Sequence, residues 1–407
     1  MNIDVYKKKR EDLLQQISTY KTHLSILDQV QETHYIVPAD NQPLIEKALN
    51  RGCSQSLELL ARYDISLGEL ADTLECDDGV ITSIVESNYH ADLILIDGED
   101  ATSLDEESIL TARKNIIFNF NERKNFTSRV YFRPSGLELK YCIDDIVSAF
   151  SGVLFEKGKR YPIDGMVYPK VENSNEINFI CQILDDAEIK IGLPVNSIKI
   201  QFLVESALAV ESLYEIAHSC KHRLGGIIFG MADYAAETGI SILDENHPLF
   251  QYARMRIINV SSALGVPSID CMSFKYPVAD KNLGKIDNKK LILRKMRDVL
   301  DITLNSVQLG MKGKWVGHPL QLLAAKIAYE KHYSQQRLDQ YIEKLKIYAD
   351  SNSGANIIHN DMADRATDRN VRSFLRRAVL KKKIDIILAL NLNLIDENEY
   401  KLLKDLS

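Results

Sequence analysis

Short apolar runs that end in polar residues recur eight times along the chain, and this repetition restricts the fold more than any other feature. Each run holds four to six apolar residues, as a strand buried on both faces of a parallel sheet requires. Amphipathic stretches typical of helices lie between the runs, and such alternation predicts parallel strands with right-handed helical crossovers. The runs lie at 34–40, 91–100, 129–134, 164–172, 197–206, 224–233, 267–274 and 314–319. Eight strand–helix units predict a closed (β/α)8 TIM barrel.

The charged and polar residues that follow these runs favour the barrel over an open sheet. In a barrel the carboxyl ends of all strands converge on one mouth, where active sites of this fold are built. An open sheet would spread the same residues along an edge. The residues concerned are Glu99, Asp100, Arg133, Lys170, Glu172, Glu205, Asp233 and His318. We therefore expect one polar site at the barrel mouth.

Some segments do not follow the strand–helix alternation. We expect a barrel domain over residues 1–330, opened by a helix that covers most of the first thirty residues. Residues 53–90 are too long for an ordinary barrel connection, and their pattern predicts an insertion of two short helices after the first barrel helix. Residues 331–407 are predicted to be a helical extension that serves as a lid over a neighbouring subunit, with a loop at 351–368.

The charge balance and the cysteines limit the possible partners and compartments. Asp and Glu outnumber Lys and Arg by 57 to 50, and this excess argues against nucleic acid or an anionic membrane as the main partner. No run approaches the roughly 20 apolar residues of a membrane-spanning helix, and no apolar segment of a signal peptide follows the first lysines. Six scattered cysteines without a CxxC pair predict reduced thiols. A cytoplasmic protein is the expectation.

Glu205 and Asp233 are the strongest candidate ligands for a metal. They follow the fifth and sixth predicted strands, so their carboxylates would meet at the mouth with room for waters. Oxygen ligands in an octahedral shell completed by waters are what Mg²⁺ prefers, and Mn²⁺ is an alternative. A second interpretation is that each residue caps the helix that follows it. The matched positions of the two carboxylates favour the metal.

Arg133 and its neighbours are candidates for binding the substrate. The guanidinium of Arg133 could hold a substrate carboxylate at two points, or it could form an ion pair with Glu99 or Asp100. Those two carboxylates could also accept hydrogen bonds from waters on the metal. Lys170 could belong to the same layer or form a structural ion pair. For His318, which precedes Pro319, a role at the mouth and a strand-to-helix turn are both open.

Several segments together resemble the citrate lyase β-subunit and malyl-CoA lyase superfamily, the HpcH/HpaI aldolase-like proteins. The similarity covers most of residues 34–380. The segments that carry it are ADLILIDGEDA, FRPSGLELKYCIDDI, DGMVYPKVE, FLVESA, IIFGMAD, GKWVGHPLQ and NDMADRATDRNVRSFLRRA. The resemblance implies a barrel that makes or breaks carbon–carbon bonds as a homotrimer or homohexamer.

The resemblance also implies roles for single residues. Glu205 and Asp233 match the Mg²⁺ ligands and Arg133 matches the carboxylate-binding residue, while Asp364 matches an acid/base supplied by a neighbouring subunit. The implied substrate is a 3-hydroxyacyl-CoA such as malyl- or citramalyl-CoA, cleaved to a 2-oxo acid and an acyl-CoA. An aldolase that acts on a 2-oxo acid or small metabolite without coenzyme A remains an alternative, as does a non-catalytic scaffold that binds a metabolite.

Overall fold

Eight parallel strands close into a barrel in chain order in the computed structural model, which describes residues 3–19, 22, 24–103, 105–350, 355–358 and 361–405. The strands are β1 (Thr33–Pro38), β2 (Leu93–Asp97), β3 (Arg129–Arg133), β4 (Gly165–Tyr168), β5 (Lys199–Val204), β6 (Leu224–Phe229), β7 (Ser268–Asp270) and β8 (Gly313–Val316). Pairing of β1 with β8, in which His34 lies opposite Trp315, closes the ring. The predicted (β/α)8 barrel is confirmed.

Helices surround this barrel and connect its strands. Before β2 they are α1 (Ile3–Ser18), α2 (Ile26–Gln29), α3 (Gln42–Arg51), α4 (Ser54–Arg62), α5 (Leu67–Leu74) and α6 (Asp78–Glu86). Those up to β7 are α7 (Glu106–Asn121), α8 (Cys142–Gly152), α9 (Ser174–Ile191), α10 (Ala207–Glu211), α11 (Leu213–Ser219), α12 (Met231–Thr238) and α13 (Pro248–Leu264). The helices α14 (Lys285–Leu309) and α15 (Pro319–His332) flank β8.

Two apolar layers explain why the strands are apolar on both faces. One cluster takes at least one residue from every strand and therefore fills the barrel interior. Its members are Ile36, Leu93, Leu95, Tyr131, Val167, Leu203, Ile228, Ile269 and Trp315. The alternate strand residues, such as Val37, Phe132 and Phe202, belong to the larger cluster between the strands and the helices. Continuous burial of the strands is thus what the apolar runs predicted.

A buried set of ion pairs lies in the outer layer near β7. Asp270 accepts from Nε of Arg254 at 2.7 Å and from Nζ of Lys314 at 2.8 Å. Burial alone would raise the pKa of the Asp270 carboxyl, but the two cations outweigh it and lower the pKa. These pairs join α13, β7 and β8 in one arrangement, so they fix where the segment after β7 begins.

The insertion at residues 53–90 forms three helices, α4, α5 and α6, and the prediction of two short helices is wrong. Two helix N-caps divide the segment into three helices. Ser66 opens α5 with a capping box, in which its hydroxyl accepts from Glu69 N–H and the Glu69 carboxylate accepts from Ser66 N–H. Asp77 opens α6 by accepting from the N–H of Gly79 at 2.7 Å.

The two ends of the chain also depart from their predictions. The helix expected over the first thirty residues ends at Ser18, and a separate short helix begins after Ser25, whose hydroxyl accepts from Asp28 N–H. The chain divides into two compact units, Met1–Ala328 and Tyr329–Ser407. None of the helices in the described ranges combines the length and the apolar character that a bilayer span requires.

The second unit contains strands as well as helices, so a wholly helical extension is wrong. Its elements beyond α15 are α16 (Gln335–Asp350), β9 (Ala355–Ile358), β10 (Asp361–Asp364), α17 (Arg365–Leu380), α18 (Ile386–Asn391) and α19 (Glu397–Asp405). The strands β9 and β10 pair antiparallel within the segment that was expected to be a loop. Phe374 of α17 stacks on Tyr333 with ring centres 5.0 Å apart and also packs against Tyr341 of α16.

Candidate active site

A cavity of about 320 Å³ opens at the carboxyl ends of the strands. Four of the residues that the sequence singled out line it, namely Asp100, Arg133, Glu205 and Asp233. Its volume lies at the lower end of the roughly 300–1,000 Å³ typical of small-molecule sites. The barrel thus brings together side chains that lie more than a hundred residues apart in the sequence.

Glu205 follows β5 directly and is held in place by backbone groups. Its side chain is buried, and its Oε1 accepts a 2.6 Å hydrogen bond from the main-chain N–H of Lys170. A Cβ at Gly230 would lie 2.5 Å from Glu205 Oε2, so only glycine fits beside this carboxylate. Ser206, whose hydroxyl accepts from Ala209 N–H, caps the next helix. The helix-cap interpretation of Glu205 is therefore wrong.

Asp233 lies in the first turn of α12 and lines the same cavity as Glu205. Gly230 occupies the cap position of this helix and provides no side-chain hydrogen bond. Burial raises the pKa of the Glu205 carboxyl to about 8, and the negative charge of Asp233 adds to the rise, whereas Arg133 opposes it. The two carboxylates are therefore close enough to repel each other.

This pair of carboxylates fits a hard divalent cation. Within the described ranges, no three His, Cys, Asp or Glu side chains are grouped so that they could hold a metal ion. Mg²⁺ is commonly bound by one or two carboxylates and keeps several waters, so two carboxylates on the wall of a cavity match its needs. A cation held by Glu205 and Asp233 would also offset their mutual repulsion, which adds to the effect of burial on the Glu205 pKa.

Arg133 is saturated by carboxylates of its own barrel. Its Nε and Nη2 contact the two oxygens of Asp97 at 2.5 and 2.6 Å, and Nη1 lies 2.9 Å from Glu99 and 3.3 Å from Asp100. Burial would lower the pKa of the guanidinium, but these carboxylates outweigh it and raise the pKa. The ion-pair interpretation of Arg133 therefore describes its geometry.

Asp97 is the functional-site residue that the sequence interpretation missed. It ends β2 and lies opposite Arg133 in the register of β2 with β3, so the two side chains leave neighbouring strand ends together. The IDGED segment contained the signal, because an aspartate directly precedes the turn. Its role depends on the register, however, and strand register is not visible in the sequence of either strand alone.

Lys170 joins two parts of the site. Its Nζ lies 2.6 Å from Oε1 of Glu99 and 3.4 Å from Glu138, while its main-chain N–H donates a hydrogen bond to Glu205. The φ angle of Lys170 is 50°, in the left-handed region that residues other than glycine seldom adopt. Burial raises the pKa of the Glu99 carboxyl to about 7, against the opposing charges of Arg133 and Lys170.

His318 lies beside the cavity without lining it. Its Nδ1 accepts from the N–H of Leu320 at 3.2 Å, which places it at the start of α15. Its ring packs edge-on against Tyr276, with ring centres 6.3 Å apart, and Tyr276 does line the cavity. Burial lowers the pKa of His318 to about 4. The strand-to-helix turn, one of the two interpretations of this residue, describes its position.

The segment after β7 contributes a wall that the sequence interpretation also missed. Met272, Phe274 and Tyr276 line the cavity, whereas the apolar run 267–274 had predicted a strand through most of them. The strand ends at Asp270, and the remaining apolar residues turn into the mouth. Asp364 ends β10 in the second unit, and its side chain lies outside the described part of the structure.

The fold and the site place this protein among TIM-barrel proteins with a candidate metal site at the barrel mouth, formed by paired carboxylates beside a buried arginine. Comparison with known families specifies it further. The model of the HpcH/HpaI aldolase/citrate lyase family matches residues 81–288, about half of the chain. The chain belongs to this family.

Individual relatives are distant. The chain is 25% identical over 215 residues to an L-malyl-CoA/beta-methylmalyl-CoA lyase from Haloarcula marismortui, and this match covers 51% of the chain but only 58% of the relative. An L-malyl-CoA/beta-methylmalyl-CoA lyase from Rhodobacter capsulatus is 24% identical over 309 residues, which cover 72% of the chain and 89% of the relative.

A similar solved structure is that of protein CitE from Mycobacterium tuberculosis in complex with magnesium, acetoacetate and coenzyme A. It superposes with a TM-score of 0.57 at 16% identity, covering 86% of this chain and 99% of that one. At this level of identity the match is one of fold.

Proposed function

We propose that this protein is a magnesium-dependent carbon–carbon lyase that cleaves or forms a 3-hydroxyacyl-CoA of the malyl- or citramalyl-CoA kind. One observation carries the proposal, the meeting of Glu205 and Asp233 on the wall of a single cavity with Arg133. Family membership and the names of the two lyase relatives support it. The substrate assignment follows those names and is the part that experiment must test.

Glu205 and Asp233 are the residues that would hold the cation. When bound, Mg²⁺ supplies a Lewis acid that polarises the oxygen of the 2-oxo acid fragment. The N–H of Lys170 keeps Glu205 oriented toward the cavity, and Gly230 leaves room for it. Arg133, fixed by Asp97, lines the same space, where its positive charge offsets part of the negative charge of the surrounding carboxylates.

Cleavage requires two proton movements. The hydroxyl proton of the substrate leaves to a base as the carbonyl of the 2-oxo acid forms. The neighbouring carbon–carbon bond breaks in the same step, and its electron pair passes into the thioester fragment as an enolate. That fragment takes up a proton from an acid to give the acyl-CoA. We assign the proton transfer to the carbon next to the thioester carbonyl to Asp364 of a neighbouring subunit, in a homotrimer or homohexamer whose second unit serves as a lid.

A cleavage assay tests the proposal. Purified protein with Mg²⁺ is incubated with malyl-CoA or citramalyl-CoA, and release of the 2-oxo acid and of the acyl-CoA is followed. We expect cleavage of at least one thioester, lost with EDTA and restored by Mg²⁺, and lost in Asp233→Asn. Glu172→Gln, which changes an exposed carboxylate outside the cavity lining, is the matched control. Failure to cleave either thioester, or cleavage that survives both EDTA and Asp233→Asn, would contradict the proposal.

A further inference from the structure

The charged groups of the cavity are confined to one part of its lining, where they alternate with apolar residues such as Leu203, Phe229 and Met231. All five of its charged lining residues lie at the ends of β2, β3 and β5, in the connections that follow them, or in the first turn of α12 after β6. The lining contributed by β1, β7 and β8 and by the segments after them contains no charged side chain within the described residues. That apolar wall consists of Ile36, Pro38, Met272, Phe274, Tyr276 and Trp315, beside Cys271 and Gly317.

Hydrogen bonds to Glu245 and Gln321, which lie outside the cavity lining, hold the backbone of the apolar wall in place. The hydroxyl of Ser273 donates to the buried carboxylate of Glu245 at 2.8 Å. Gln321 donates from Nε2 to the carbonyl oxygens of Ser273 and Lys275 at 3.0 and 3.2 Å, and its Oε1 accepts from Gly317 N–H at 2.9 Å. These bonds fix the backbone on both sides of Phe274, so the wall is formed before any ligand arrives.

The members of the wall also pack on one another. The hydroxyl of Tyr276 lies 3.0 Å from Sδ of Met272. A Cβ at Gly317 would collide with that hydroxyl, so only glycine at this position leaves room for the Tyr276 side chain. Phe274 remains 46% exposed, and its ring therefore has apolar surface to bury against a ligand.

We propose that the 2-oxo acid handled by this site carries an uncharged, apolar carbon chain, which packs against Met272, Phe274 and Tyr276. This inference rests on the proposed function. A 2-oxo acid has its carboxylate and carbonyl oxygens at one end, and those oxygens belong beside the cation that Glu205 and Asp233 would hold. The chain beyond the carbonyl then points to the opposite wall. A charged group there would lose hydration without gaining a partner.

Calorimetric titration of the Mg²⁺-loaded protein tests the inference by binding alone. The ligands are glyoxylate, pyruvate, 2-oxobutyrate and 2-oxopentanoate, which differ by one carbon each, and oxaloacetate, which ends in a carboxylate. We expect the affinity to rise by about two- to fourfold per added carbon, since each buried methylene adds apolar burial. Oxaloacetate should bind more weakly than 2-oxopentanoate.

Two variants locate the effect. Phe274→Ala and Met272→Ala should each flatten the series, whereas Phe179→Ala should leave it unchanged, because Phe179 is similarly exposed at 44% but lies outside the cavity lining. A flat series in the wild type, tighter binding of oxaloacetate, no binding of any acid, or a rise that both wall variants retain would each overturn the inference.

The binding series and the thioester assay fail separately. A rising affinity series without thioester cleavage would support the apolar wall and refute the lyase proposal. Thioester cleavage combined with a flat affinity series would support the lyase proposal and refute the role of the apolar wall.

Discussion

The main-chain N–H of Lys170 donates a 2.6 Å hydrogen bond to Glu205, while the ammonium group of the same residue lies 2.6 Å from Glu99. One residue thereby supports a candidate metal ligand through its backbone and the arginine-centred ion pairs through its side chain. The backbone contact depends on a left-handed conformation, with φ at 50°. The two roles can be separated by substitution.

We expect Lys170→Gly to keep the Mg²⁺ affinity of the protein and Lys170→Val to weaken it about five- to thirtyfold. Both variants lack the ammonium group, but glycine adopts positive φ freely. A β-branched residue such as valine tolerates positive φ worse than lysine does, at an added cost of roughly 1–2 kcal/mol. Valine would therefore draw the N–H away from Glu205. Calorimetric titration of Mg²⁺ measures the difference, and equal affinities in the two variants would show that the backbone contact is unimportant.

Changing either proposed metal ligand should reduce Mg²⁺ affinity strongly. In Glu205→Gln and Asp233→Asn the loss should exceed the roughly 10–100-fold cost of removing an outer partner of a metal ligand. Glu172→Gln, an exposed carboxylate outside the cavity lining, should bind Mg²⁺ as the wild type does. Direct titration of the three variants measures these effects. Wild-type affinity in Asp233→Asn would refute the metal assignment.

Gly230→Ala should harm the site without any change of charge. The added Cβ would lie 2.5 Å from Oε2 and 2.6 Å from Cβ of Glu205, so that side chain must move. Overpacking of this kind costs about 1–3 kcal/mol of stability, and Mg²⁺ affinity should fall with it. Urea unfolding and metal titration measure both. Gly68→Ala is the control, because a Cβ there meets nothing within 4 Å, and a normal metal site in Gly230→Ala would count against this packing argument.

Mixed oligomers should reveal whether Asp364 acts across a subunit boundary. Asp364→Ala and Arg133→Ala should each be inactive alone in thioester cleavage. If each site takes Arg133 from one chain and Asp364 from its neighbour, random mixing in equal amounts restores about one quarter of the sites. Activity after joint refolding or co-expression measures the rescue. Absence of rescue in oligomers proven to be mixed would exclude a shared site.

His34 should make the stability of the protein depend on pH. It is buried within β1, and its two ring nitrogens have no hydrogen-bond partner among the described residues. Burial lowers the pKa of His34 from 6.5 to about 3. Between these two pH values the unfolded chain binds a proton at His34 that the folded protein does not bind. The stabilisation is complete above pH 6.5 and is lost progressively as the pH falls toward 3.

Urea unfolding at pH 8 and pH 5 measures this effect. The part of the wild-type stability loss that belongs to His34 is about 2 kcal/mol, and His34→Leu should lack it. The exposed His222, changed to leucine, is the control and should retain the full loss. An identical pH dependence in His34→Leu and the wild type would contradict the assignment.

The barrel was predictable because its pattern is local and repeated. Burial on both faces requires an apolar run in every strand, and the residue after each run must lie at the mouth. Glu205 and Asp233 could be recognised by this logic alone. Asp97 could not, because its contact with Arg133 depends on how β2 and β3 are aligned.

The errors have equally local causes. In the segment 267–274 an apolar run continues past the strand, so Met272 and Phe274 could not be distinguished from strand residues before the turn at Asp270 was known. In the insertion, apolar periodicity merged helices that the caps at Ser66 and Asp77 separate. Strands β9 and β10 are only four residues each, too short for alternation to stand out from a polar loop.

The charges at the mouth favour one order of binding for the metal and the substrate. Five carboxyl groups gather there against two cationic side chains, Asp97, Glu99, Asp100, Glu205 and Asp233 against Arg133 and Lys170. Burial raises the pKa values of Glu99 to about 7 and of Glu205 to about 8, so these two groups ionise more readily once a divalent cation is present. A divalent cation would therefore be drawn in, whereas an anion that arrives first would not be. We therefore expect the metal to bind before the anionic substrate. In steady-state kinetics the apparent affinity for the anionic substrate should then depend on the concentration of the metal.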